Sequence, residues 1–111
     1  MVEVVQSKNH TLKFSVKDQN GAAVNLTGCL VKVGIQPKSS PGSVITKLSS
    51  NAAQIVITGA VTGDFEVYLV PADTAVAGRY ALEAQYTDTL GKVYPIQLAT
   101  PSELIIKPTI L

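Results

Sequence analysis

The chain has 111 residues and a mass of 11.7 kDa, which is the usual size of a single domain. Nine Lys and Arg residues stand against eight Asp and Glu residues, so the formal net charge is +1. Nucleic acids and anionic membranes select for dense basic patches, and this balance therefore argues against both as the main partner.

The surface is expected to be weakly polar, because only 15% of the residues are charged and the mean hydropathy is +0.26. A small domain has a large surface for its volume, and here few charges are available to cover it. We therefore expect other subunits to cover part of this surface, as they do in a homo-oligomer. The alternative is a monomer coated with Ser, Thr, Asn and Gln.

Short alternations of apolar and polar residues, separated by turn signals every ~8–12 positions, predict an all-β sandwich or barrel. The first strand, over residues 12–16, ends at a turn in which Asn20 and Gly21 are expected to take positive φ angles. The next strand is predicted over residues 29–36, with its odd-numbered side chains on the apolar face. Residues 44–48 form a candidate edge strand after a loop that contains two prolines.

The second half of the chain repeats this pattern. Strand character resumes over residues 54–57, and residues 65–70 alternate clearly. A longer strand is predicted over residues 80–86, with its even-numbered side chains on the apolar face. A hairpin turn at 88–92 then leads into a strand over 93–98 that runs back beside it.

Between these strands lies a corner at residues 72–77, the single window with helical character. Pro71 ends the preceding strand, and Asp73 stands where a short helical turn would begin. We therefore expect the Asp73 carboxylate to cap the amide of Ala75 or Val76.

Gly78 and Tyr80 complete this candidate structural corner with Asp73. Gly78 is expected to take the left-handed conformation that ends a helical turn. The Tyr80 hydroxyl is expected to bond back to the backbone of residues 73–77. That arrangement is the tyrosine corner of immunoglobulin-like sandwiches, so we predict such a β-sandwich of about seven to eight antiparallel strands.

No catalytic, cofactor or metal site is predicted from the residues. His10 is the single histidine and has no cysteine or carboxylate neighbours at ligand spacing. The sequence contains no Gly-x-Ser-x-Gly nucleophile elbow, so Ser-His-Asp chemistry is not supported. The aspartates fall at turns, where such side chains normally bond to their own backbone. We therefore expect a non-enzymatic protein without cofactors.

Cys29 is the single cysteine, so no intramolecular disulfide can form. Since it opens a strand and has no basic neighbour in the sequence, we expect a free thiol with a structural role only. Residues 1–6 carry neither the basic segment nor the long apolar run of a signal peptide, and no apolar stretch reaches the ~18 residues needed to span a membrane.

As an ordered set, several short motifs resemble the immunoglobulin-like domains of tailed-phage virion proteins, especially the N-terminal domain of siphophage baseplate upper proteins. The resemblance covers about residues 9–98. The motifs are Thr11-Leu12-Lys13-Phe14, Asp18-Gln19-Asn20-Gly21, Asn25-Leu26-Thr27-Gly28, Phe65-Glu66-Val67-Tyr68-Leu69, Asp73-Thr74-Ala75, Gly78-Arg79-Tyr80 and Asp88-Thr89-Leu90-Gly91-Lys92.

The resemblance implies a structural protein of the virion, made in the host cytoplasm, that acts as an adaptor or decoration module beside other virion proteins. The sequence ends at Leu111, without the long C-terminal docking region of those baseplate proteins. Head, neck and tail positions therefore stay open beside the baseplate. The competing interpretation is a bacterial immunoglobulin-like adhesion or carbohydrate-binding module.

The two ends of the chain are apolar and lie outside the motifs. We predict a single domain over residues 1–111, with residues 1–8 and 104–111 as docking tails that pack on another subunit or a virion partner. The alternative is that residues 104–107 complete the domain's own sheet. The candidate contact residues are Val2, Val4, Val5, Leu104, Ile105, Ile106, Ile110 and Leu111.

Overall fold

A computed structural model of the protein describes residues 2–18, 20–38, 44–96 and 103–110. These ranges contain nine strands and no helix. The strands are β1 (Val2–Val5), β2 (His10–Ser15), β3 (Leu30–Pro37), β4 (Ile45–Leu48), β5 (Ile55–Gly59), β6 (Asp64–Leu69), β7 (Gly78–Thr87), β8 (Val93–Ile96) and β9 (Glu103–Lys107).

The strands form two sheets that pack face to face, so the predicted all-β sandwich is confirmed. The larger sheet has the order β1-β9-β7-β3-β4, and β8 also pairs with β7. The smaller sheet has the order β2-β6-β5.

Nine strands replace the predicted seven to eight for two reasons. The first is β1, which the sequence analysis treated as a tail. The second is that two separate strands near the end of the chain, β8 and β9, both pair with β7. β8 pairs along Ala84–Thr87 and β9 pairs along Gly78–Ala81. Not all neighbours are antiparallel either, because β1 and β9 run parallel.

A single apolar core lies between the sheets, and both sheets contribute to it. The predicted alternation is confirmed in β3, β6 and β7, where every second side chain is buried. Fully burying one such side chain stabilises the fold by about 1.5–3 kcal/mol. The buried apolar residues are Val4, Leu12, Val16, Leu26, Val31, Val33, Ile35, Ile55, Phe65, Val67, Leu69, Tyr80, Leu82, Ala84, Ile96, Leu104 and Ile106.

The corner before β7 contains the expected tyrosine contact. The Tyr80 side chain is 4% exposed, and its hydroxyl donates a hydrogen bond of 2.6 Å to the carbonyl of Val76. Burial raises the pKa of the Tyr80 phenol, so the hydroxyl keeps its proton for this bond. The residues before Gly78 form successive turns rather than a helix, and Gly78 itself has a φ of +148°, outside the left-handed helical region.

The expected capping role of Asp73 is wrong. Its carboxylate accepts hydrogen bonds from the Val70 amide at 2.8 Å and from the Lys47 ammonium at 2.6 Å, and not from Ala75 or Val76. Without a helix at 72–77 there is no row of free amides to cap. The side chains of Lys47 and Asp73 are 7% and 14% exposed, so they form a nearly buried ion pair.

The two chain ends join the larger sheet of their own domain. β1 pairs with β9, and β9 pairs with β7, which corresponds to the alternative stated for residues 104–107. Val4, Leu104 and Ile106 are at most 3% exposed, so they belong to the core and cannot serve as the proposed subunit contacts. A further hydrogen bond joins the Gln6 amide to the Lys107 carbonyl at 2.8 Å.

The remaining candidate contacts are placed differently. Val5 and Ile110 are exposed, and Ile105 is half-buried on the solvent side of β9. Val2 lies in β1, and Leu111 lies outside the described residues.

The turns at 18–22 and 88–92 are closed by the same pattern of hydrogen bonds. In each, an aspartate carboxylate accepts two backbone amide bonds, from Asn20 and Ala22 or from Leu90 and Lys92. Among the described residues of the two turns, the glycines have a positive φ, +81° at Gly21 and +82° at Gly91, whereas Asn20 does not. The expected positive φ at Asn20 is therefore wrong, since an aspartate-closed turn takes the place of the tighter Asn-Gly turn.

Replacing Tyr80 by Phe should lower the free energy of unfolding by about 1 kcal/mol, the net worth of one hydrogen bond. Urea denaturation followed by circular dichroism measures the change. Tyr94→Phe, on the surface strand β8, is the matched control and should change stability by less than about 0.5 kcal/mol. Equal effects of the two substitutions would contradict the corner assignment.

Leu104→Ala should destabilise the protein by about 3 kcal/mol, because it opens a cavity in the shared core. Ile105→Ala, one position along on the solvent side of β9, should cost about 1 kcal/mol or less. Chemical denaturation of both variants compares the two positions directly. A stable Leu104→Ala variant would contradict the placement of β9 and favour a docking tail.

Candidate assembly surface

The solvent side of the larger sheet is a broad surface, which we call the outer face. Side chains alternate along a strand, so burial of the odd positions of β3 and the even positions of β7 turns the others outward. The outer face comprises Leu30, Lys32, Gly34 and Gln36 of β3, Thr46 and Leu48 of β4, Arg79, Ala81, Glu83, Gln85 and Thr87 of β7, and Val93 and Pro95 of β8.

Exposed apolar side chains lie together on this face. Leu30 and Val93 are each 56% exposed and flank Thr87 in one row across three strands. Leu48 is 39% exposed and pairs with Lys32 in the next outward row. Isolated exposed apolar residues are ordinary, whereas neighbouring ones are typical of contact surfaces.

A shallow groove of about 260 Å³ crosses the outer face at Gly34. Gly34 has no side chain to fill it, and a Cβ atom there would lie 3.6 Å from Val44 Cγ1. The walls are formed by Lys32, Val44, Thr46, Glu83, Ala84 and Gln85. The groove therefore has a notch at the Gly34 backbone, with the positive side chain of Lys32 and the negative side chain of Glu83 beside it.

These two charges lie diagonally across the sheet. Lys32 is opposite Gln85, and Gly34 is opposite Glu83. Within the described parts of the chain, neither Lys32 nor Glu83 takes part in an ion pair. Both charges are thus available to a partner.

The solvent side of the smaller sheet is different, because its polar side chains bond to one another. Lys13 lies 3.8 Å from Glu66, and the Tyr68 hydroxyl also donates to Glu66. The carboxylate of Asp64 accepts hydrogen bonds from Ser15 at 2.5 Å and from Thr62 at 2.7 Å. These bonds, Ser15 first, hold the pKa of the Asp64 carboxyl below its usual value. Such a group is ionised at neutral pH and is a poor general acid.

A second groove, of about 380 Å³, lies where β7 and β8 meet the segment after β2. Its aromatic wall is the stacked pair Tyr86 and Tyr94, with ring centroids 5.2 Å apart. Val16, Lys17, Asp18, Val24 and Pro95 complete it. Tyr94 is partly exposed, so one aromatic ring is accessible here to a flat apolar ligand surface.

Cys29 and His10 have local roles. Burial first, and then the negative charge of Asp88, raises the pKa of the Cys29 thiol, which makes it a weaker nucleophile at neutral pH. The Nε2 atom of His10 accepts a hydrogen bond from the Val5 amide at 3.0 Å. Among the described residues, no group of three or more His, Cys, Asp or Glu side chains could hold a metal ion.

Lys47 holds the edge strand β4 in place beneath the outer face. Thr46 and Leu48 point outward, whereas Lys47 points inward and reaches Asp73 in the corner. Lys47 was not among the residues predicted from the sequence to have a role. The sequence could have indicated it, because positions 45 and 47 lie on the same face of a strand. A strand whose inward face contains Ile45 therefore also turns Lys47 inward.

None of the sequence-predicted contacts belongs to the outer face as defined above. Ile105 adjoins it, because it pairs with Arg79 on one side and with Glu3 on the other and so lies in the neighbouring outward row toward β1. Three exposed apolar residues of the outer face, Leu30, Leu48 and Val93, were not predicted as contacts. They could have been recognised in the sequence, because each is an apolar residue at a position where the alternation of the strand predicts a solvent-facing polar residue.

No protein-family model matches the chain, and no curated protein matches it. The part of the chain that the structure describes has no helix of the length and apolarity needed to cross a membrane.

Asp73→Asn should destabilise the protein by about 3 kcal/mol, because it leaves the nearly buried Lys47 ammonium without its counter-charge. Glu3→Gln is the control, since it removes the exposed Glu3–Lys107 ion pair and should cost about 1 kcal/mol or less. Thermal and urea unfolding measure both. Equal losses in the two variants would show that the Lys47–Asp73 pair does not anchor β4.

Proposed function

We propose that the protein is a non-enzymatic structural module of a phage virion. It acts as an immunoglobulin-like adaptor or decoration domain of the tail, baseplate, neck or head and assembles in multiple copies. The observation that carries this proposal is the outer face, where exposed apolar residues surround charges that have no partner in the described chain. The ordered motifs of the sequence supply the virion context.

The polar chemistry of the molecule favours a structural role. The turn aspartates bond to backbone amides, Asp73 pairs with Lys47, and Asp64 is held by two hydroxyl groups. Each of these carboxylates is therefore used to fix the fold. A catalytic site needs instead a nucleophile or acid–base group placed beside an open pocket with a pKa near the working pH.

A second candidate function has one observation in its favour. The stacked Tyr86 and Tyr94 form an accessible aromatic wall, and sugar rings bind to such walls through their apolar faces. This favours the carbohydrate-binding module. A single exposed ring offers little stacking area, however, and the Asp18 carboxylate of the groove already bonds to the amides of its own turn, so the assembly role is the better supported of the two.

The proposal predicts that the chain is a component of virus particles produced by its source culture. Antibodies against the purified protein should label gradient-purified particles in electron microscopy, and quantitative mass spectrometry should find several copies per particle. Neighbouring genes for capsid, portal or tail proteins would agree with this result. Absence of the chain from purified particles, while it is abundant in the lysate, would overturn the virion role. Glycan-array binding abolished by Tyr94→Ala would favour the alternative.

A further inference from the structure

We infer that a second copy of this chain docks on the outer face, in a two-fold arrangement in which Lys32 of each copy meets Glu83 of the other. The inference deepens the proposed assembly role and rests on it for the idea of multiple copies.

The charge pattern fits a copy of the same face. A two-fold interface joins one patch to itself, so the patch must be complementary to its own rotated image. Lys32 and Glu83 lie diagonally about a centre bounded by Gly34 and Gln85. Consider a two-fold axis that lies in the plane between the two faces, passes the midpoint of Lys32 and Glu83, and is perpendicular to the line that joins them. Rotation by 180° about this axis places Lys32 of the second copy over Glu83 of the first, and Glu83 of the second copy over Lys32 of the first. Each lysine then lies over a glutamate.

The same axis also brings apolar side chains together. With ideal strand spacings of about 4.8 Å and rises of about 3.3 Å per residue, it sets Leu48 of one copy close to Ala81 of the other. Leu48 is exposed in the single chain, and Ala81 is half-buried on the same face. Contact between them removes apolar surface from water, which favours association.

The missing side chain of Gly34 permits close approach. The notch lies beside the centre of the proposed interface and has room at its base, since a Cβ there would meet its nearest atom at 3.6 Å. The outer face is formed by β3 with eight residues, β7 with ten, and β4 and β8 with four each. Ideal strand spacings give it a flat area of roughly 400 Å², about half of the roughly 800 Å² that each partner buries in a standard interface.

Docking through the face is favoured over docking through the β4 edge. The Leu48 amide at that edge already donates a hydrogen bond of 3.0 Å to the Gln54 side chain. Lys47 is an inward-pointing charge on the same short strand, a feature that discourages further strand addition. A second chain therefore gains more from the open outer face than from extending the sheet.

Charge reversal tests the inference on the purified full-length protein. Sedimentation velocity over a concentration series measures the dimer dissociation constant. Lys32→Glu or Glu83→Lys alone should raise this constant by about tenfold or more, since each creates two like-charge contacts per dimer. The double variant K32E/E83K should return it to within about threefold of the unsubstituted protein, because opposite charges face each other again.

The smaller sheet provides the matched control. Lys13→Glu, Glu66→Lys and their combination make the same charge changes on the other solvent face and should leave the dissociation constant unchanged. Circular dichroism establishes that each variant is folded. A monomer at every concentration, single variants without effect, or a folded double variant that stays as weak as the singles would each overturn the inference.

The two proposals fail separately. A monomeric free chain that is nevertheless found in purified particles would overturn the two-fold dimer and leave the virion role standing. A charge-dependent dimer that is absent from particles would support the docking surface and overturn the virion role.

Discussion

The contact on which the other strands depend is the corner between β6 and β7, where the chain leaves the smaller sheet and enters the larger one. Thr74 at this corner is 0% exposed. Its hydroxyl donates to the Lys8 carbonyl at 3.1 Å, and its own carbonyl accepts from the Ser7 amide at 3.0 Å. The turn between β1 and β2 is therefore fixed on the corner. Through that turn, one strand is delivered to each sheet.

Two further contacts at the corner set the rest of the larger sheet. Asp73 binds the inward ammonium of Lys47 and so holds β4, while the bond from Tyr80 to Val76 fixes the direction in which β7 begins. β7 then pairs with β3 on one side and with β8 and β9 in succession on the other. Because β7 borders three strands, a displaced corner would shift the outer face as a whole.

The sequence alone predicts the strands in which apolar and polar residues alternate over six or more positions. It does not predict strands or side-chain contacts whose partner lies far away along the chain. β3, β6 and β7 follow from their period of two. β1 has four residues, and its parallel partner begins about a hundred positions later, so no local pattern announces it. The capping prediction for Asp73 failed for the same reason. A buried ammonium requires a counter-charge, and Lys47 reaches Asp73 from a strand 26 positions earlier.

The two solvent faces differ in the charges that they leave without an ion-pair partner, and this difference bears on the proposed dimer. On the smaller sheet, Glu66 and Asp64 accept hydrogen bonds from neighbouring hydroxyl groups, and Lys13 lies 3.8 Å from Glu66. On the larger sheet, Lys32 and Glu83 remain solvated, and exposed charges lose little in that state. A partner that covers Lys32 and Glu83 removes the water that solvates them. It must therefore place an opposite charge beside each, because burying a charge without a counter-charge is costly. In the proposed dimer, the same face of a second copy supplies both opposite charges, whereas a surface without that spacing leaves at least one of the two unpaired. The apolar residues provide attraction to many surfaces, and the charge pair restricts which of them can dock.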